Sequence, residues 1–159
     1  MKAALLTANH VYLLAGASMY CGTITMLRLF LVPNWGTLRP ATVHDQFTLP
    51  IAAATRFFKV AVPTWLIASL VMIVTEWGES SVWPASIAFV GMLASGLLTT
   101  RVIFPINNQI NAESDPARLN GLLQRWIKLN DVRWTCVLVM WAALCWYFVQ
   151  KPDLPGALG

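Results

Sequence analysis

Four long apolar runs, separated by shorter polar stretches, organise the chain: Val11 to Val32, Phe57 to Val74, Trp83 to Phe104 and Trp134 to Val149. A helix needs about 20 mostly apolar residues to cross the hydrocarbon of a bilayer, and backbone groups in lipid must bond within their own helix. The pattern therefore predicts an all-α fold, a membrane-embedded four-helix bundle that forms one transmembrane domain over residues 1–159. The expected helices span roughly residues 9–32, 56–76, 83–105 and 116–149. Lys2 supplies a charged start, but the first run continues past any plausible cleavage site and reads as a retained helix.

The fourth run is short for a span, and the sequence before it supplies the rest. Asp115 is a good N-cap and Pro116 suits the first helical position. A helix from there to Val149 would be about 50 Å long and would project into the cytosol. Leu119, Leu122, Leu123 and Trp126 recur at three- and four-residue steps, and the same steps lead to Asn130, Arg133, Val137, Met140, Trp141 and Leu144. Arg118, Gln124, Arg125, Lys128 and Asp131 fall on the opposite face. Asn130 and Arg133 thus interrupt an apolar, inward stripe. A buried arginine is expensive in a membrane and needs an anion, carbonyls or water to offset its cost.

Composition strengthens the membrane assignment. The chain is 57% hydrophobic and 11% charged, against about 25% charged residues in soluble domains. Its net charge of +4 might suggest nucleic acid, but the distribution of the basic residues makes it a topology signal instead. Arg28, Arg39, Arg56 and Lys59 flank the connection between helices one and two, and Arg101, Arg118, Arg125, Lys128 and Arg133 flank that between helices three and four. Lys and Arg mark the cytoplasmic side, so both termini are expected outside, in a multi-pass protein of a bacterial inner membrane. Small residues at four-residue spacing, Ser18 with Gly22 and Gly91 with Ser95, would permit close helix approach. The three cysteines, Cys21, Cys136 and Cys145, lack metal-ligand spacing.

Candidate chemistry gathers at the basic end. The segment "FPINNQIN", Phe104 to Asn111, places Pro105 and three asparagines where the third helix leaves its apolar surroundings. Pro105 would free the carbonyl of Arg101, and Asn107, Asn108 and Asn111 can cap, bind or satisfy loosened backbone. This segment shares a membrane side with Asn130, Arg133 and Arg28. The two histidines do not: His10 begins helix one on the outer side, and His44 lies in the opposite loop, so they cannot share a haem or a metal. His44 beside Asp45 is a weak acid–base candidate.

The residues "FPINNQI" and "RWIKLNDVRW" resemble those of the anthrone oxygenase-like group of small four-helix membrane proteins, many of them classed only as a domain of unknown function. Pro105 and Asn107 match its N-x-P-x-N pattern, with Ile103 at the first Asn; Trp126, Asn130 and Arg133 match W-x-x-x-N/H-x-x-R. The resemblance implies an oxygenase acting on a lipophilic phenolic, anthrone-like or quinol substrate without metal or other cofactor. It implies His44 as base and Arg133 with Asn107 and Asn130 on an enolate oxygen, with Trp126 stacking on the ring. Arg28 and Asn111 complete the candidate binding residues. The alternative is a non-catalytic membrane accessory or assembly subunit, or a lipid binder. Expected partners are the lipid bilayer and a lipophilic small molecule, with a homo-oligomer or membrane-protein partner left open and no nucleic acid.

Overall fold

The computed structural model describes residues 2–151 and forms a bundle of four helical rods. The α-helices are α1 (Lys2–Met26), α2 (Pro40–Val43), α3 (Leu49–Thr75), α4 (Val82–Leu98), α5 (Phe104–Ala112) and α6 (Pro116–Gln150). Helical turns join several of them into continuous rods, and four stretches are long and apolar enough to cross a membrane: Ala4–Trp35, Pro40–Thr75, Val82–Ala112 and Pro116–Gln150. Large apolar side chains such as Val60, Ile67, Val74, Val90 and Val139 point outward. An apolar exterior of this kind is stable against lipid and unstable against water.

Two boundaries differ from the sequence expectation. Residues 40–55, assigned to a loop, are helical and extend the second rod. The third rod continues past residue 105 to Ala112. The extension of α6 therefore does not stand alone, because the neighbouring rods lengthen at the same end. Asp115 caps α6 as its side chain accepts the backbone N–H of Ala117 at 3.0 Å, with Pro116 at the first helical position.

Proline explains how the rods stay continuous. Three π-helical turns, Leu27–Leu31, His44–Thr48 and Thr99–Ile103, each end two residues before a proline: Pro33, Pro50 and Pro105. A proline ring clashes with the carbonyl four residues earlier and offers no N–H to it. A wider turn displaces that carbonyl, so the chain keeps its direction instead of breaking.

The interior is divided into two apolar cores. One, towards the chain termini, unites Leu13, Tyr20, Trp65, Met72, Met92, Met140 and Tyr147. The other, at the basic end, unites Trp35, Phe47, Ile103, Ile110, Leu123 and Trp126. In the second core, Trp35, Phe47 and Trp126 meet edge to face with centroids 5.0, 5.1 and 5.2 Å apart. Asn130 and Arg133 lie on α6 between the two, after Trp126 and before Val137.

Glycine permits the closest helix contact. A Cβ on Gly91 would stand 2.9 Å from the carbonyl oxygen of Cys136 on α6. Gly91→Leu is therefore expected to disrupt α4–α6 packing and abolish the monodisperse detergent peak in size-exclusion chromatography; an unchanged peak and melting temperature would refute the contact. The other small-residue pair does not work this way: a Cβ on Gly22 would meet nothing within 4 Å. Ser18 instead accepts a hydrogen bond from the Trp141 indole, which is partly exposed rather than inward, at 3.0 Å.

Candidate functional site

Between the two cores lies a cavity of about 320 Å³, walled by α1, α3, α4 and the π turn after it, with Asn107, Trp126 and Arg133 closing one side. Its walls are mainly apolar. Among the described residues, Lys59 and Arg133 are its cationic side chains and no carboxylate lines it. That imbalance favours a ligand with an apolar body and a negative or strongly polarised oxygen.

Arg133 is the central feature. Its residue is 8% exposed, and its guanidinium donates to Asn130 Oδ1 through Nη2 and to Thr99 Oγ1 through Nη1 at 3.5 Å. Nε has no partner. The ion pairs among the described residues are Arg28–Asp131, Arg118–Asp115 and Lys151–Glu76, so Arg133 has none. Asn130 is itself 1% exposed and donates to the carbonyl of Trp126 at 2.9 Å. Both ends of its amide are thereby engaged. Asn130 positions the guanidinium and does not reach the ligand space.

Hydroxyl groups extend the polar strip. Tyr20 and Ser95 share a hydrogen bond of 2.8 Å. Thr99 donates to the Ser95 carbonyl at 2.8 Å, which directs its lone pairs towards Arg133. The Tyr20 ring packs against Phe58, centroids 4.9 Å apart. On the other side, Trp126 Nε1–H donates to Asn107 Oδ1 at 2.6 Å. The Asn107 amide NH2 forms no bond among the described residues. Trp126→Phe is expected to keep the aromatic packing but release Asn107, lowering the affinity of 1,8-dihydroxyanthraquinone, a probe for the cavity, about three- to tenfold. Equal affinity of the two proteins would show that this bond does not orient the site.

The sequence-derived candidates separate into distinct groups. Asn107, Trp126 and Arg133 line the cavity, and Asn130 stands behind Arg133. Arg28 lies outside the lining and braces α6 through Asp131. Asn111 also lies outside, where its Oδ1 accepts from Thr48 at 3.1 Å and ties α5 to the second rod. His44 is exposed in a helical turn, not a loop, and is not part of the lining. The base role expected of it finds no support in the cavity lining. Trp126 also meets Trp35 and Phe47 edge to face in the second core.

Tyr20, Thr99 and Lys59 are the additions. The Lys59 ammonium stands 5.5 Å from the centre of the Phe104 ring, a cation–π contact. A lysine inside the apolar run "FFKVAVP" is visible in the sequence, where it serves as a marker of orientation. Tyr20 and Thr99 carried no sequence signal beyond ordinary polarity. Among the described residues, no group of three His, Cys, Asp or Glu side chains is placed to hold a metal ion. Compared with protein-family models, characterised proteins and solved structures, the chain matches none.

Proposed function

We propose that the cavity binds a lipophilic phenol, enol or quinol as its anion, with the oxygen on Arg133, and promotes reaction of that anion with dioxygen without a cofactor. One observation carries this reading: a buried guanidinium with no carboxylate partner among the described residues faces an apolar cavity large enough for a ligand. Nη1, beside the Tyr20 and Thr99 hydroxyls, is the part available to the ligand oxygen. A fixed cation lowers the pKa of a bound enol or phenol, so the anion forms without a strong base nearby. This matters because, among the described residues, neither His nor a carboxylate lines the cavity. The proton passes to water.

For an anthrone, the carbanion resonance form would add dioxygen at carbon, and loss of water from the hydroperoxide leaves the quinone. The overall change is one anthrone and one dioxygen to one anthraquinone and one water. Protein in lipid nanodiscs should accelerate oxygen uptake by anthrone with that stoichiometry, and Arg133→Gln should remove the acceleration. Uptake equal to that of empty nanodiscs overturns the catalytic reading. An accessory-subunit role without a ligand leaves both the cavity and the uncompensated cation unexplained.

A further inference from the structure

The cavity walls divide by exposure. Tyr20 and Leu27 from the first rod, and Trp126 and Arg133 from α6, are buried. Lys59 and Pro63 on α3, and Leu93 and Leu97 on α4, are exposed although they line the same space. The open side therefore lies between α3 and α4, within two membrane-spanning rods. The Trp35–Phe47–Trp126 cluster fills the basic end, and the first core fills the other.

The two lips have suitable local structure. Pro63 lies inside α3 and cannot donate to the carbonyl of Lys59, which loosens the helix at the opening. Across the gap, a Cβ on Gly96 would make ordinary van der Waals contact with Val62 Cγ1, at 3.9 Å, so a single valine side chain, and no backbone, stands opposite it there. Lys59 stands beside this opening against Phe104, able to meet an anionic oxygen before Arg133 does.

From this division we infer that the ligand enters and leaves sideways, from the lipid, through the gap between α3 and α4. The inference rests on the ligand-binding reading above and specifies its substrate class: a membrane-dissolved amphiphile drawn from the bilayer rather than from water. Lys59 is a positioning residue at the mouth, and Arg133 is the terminus of the path.

The test uses the full chain in nanodiscs and 1,8-dihydroxyanthraquinone as probe, followed by quenching of tryptophan fluorescence after rapid mixing with probe-loaded vesicles. Leu97→Trp and Gly96→Phe should slow association about tenfold, since a narrowed passage must open before each entry. Val139→Trp, on an exposed face of α6, should leave the rate unchanged. Adding empty lipid at constant total probe should lower occupancy in proportion to membrane dilution. If both lip variants associate at the wild-type rate while Arg133→Gln still weakens binding, lateral entry is overturned and the binding site stands. If Arg133→Gln binds like wild type, the site and its entrance fall together.

Discussion

Arg133→Met is expected to yield a folded protein that has lost its ligand without losing its thermal stability. The two effects separate because the guanidinium has no counter-charge. Losing a charge-assisted hydrogen bond to an oxyanion costs about 1.5–3 kcal/mol, or roughly a 10- to 150-fold weaker Kd. Against this, methionine removes the desolvation cost of a buried cation and fills similar volume. Asn130 Oδ1 loses its donor, which costs about 1–3 kcal/mol and offsets part of that gain. The melting temperature should therefore stay within a few degrees of wild type.

Arg28→Met provides the contrast. It breaks the ion pair with Asp131 between the first rod and α6, leaving a partly buried carboxylate without its cation. The melting temperature should fall while ligand affinity stays unchanged, because Arg28 is outside the cavity lining. Melting curves in detergent and equilibrium titration of the anthraquinone probe measure both quantities. If Arg133→Met unfolds the bundle, or binds the probe as wild type does, Arg133 is a structural brace.

The second large effect concerns Glu76, at the end away from the cavity. Its carboxylate accepts from Ser81 at 2.5 Å and Tyr147 at 2.7 Å, and pairs with Lys151 at 2.8 Å. Tyr147 has one hydroxyl proton, and the short bond assigns it to Glu76. The Tyr147 oxygen then accepts from His10 Nδ1 at 3.3 Å, leaving His10 Nε2 without a partner. These bonds join the first rod, the turn after α3 and the end of α6. Glu76→Ala should cost about 3 kcal/mol, the loss expected when one partner of a buried ion pair is removed. A domain of this size would then melt roughly 6–12 °C lower.

The same carboxylate sets an acid limit. Burial pushes its pKa up, but hydrogen bonds from Lys151, Ser81 and Tyr147, with the Lys151 charge, hold it below the ordinary carboxylate value. A group whose folded pKa is depressed contributes fully above its unfolded pKa and ceases to contribute as pH falls through the folded value. Wild type should lose stability between those two values, with a shallower loss in Glu76→Gln. Identical pH profiles for wild type and Glu76→Gln would remove Glu76 from this role.

The apolar runs and the three- and four-residue steps from Leu119 to Leu144 sufficed to predict four membrane helices and the inward face of α6. Lipid forces each helix to satisfy its own backbone, so local sequence carries that information. The Asp115–Pro116 start was legible for the same reason, since a cap forms between neighbours in sequence. Tertiary structure decided the rest. Asn130 and Asn107 were visible as polar residues, but only packing turned one behind Arg133 and the other onto Trp126. His44 and Lys59 both lie in the second rod, and only the placement of that rod makes Lys59 part of the cavity and leaves His44 outside. The Glu76 cluster likewise joins residues 10, 76, 81, 147 and 151, a grouping that no local spacing encodes. Periodicity determines which side of a helix turns inward; what that side meets depends on the position of the other helices.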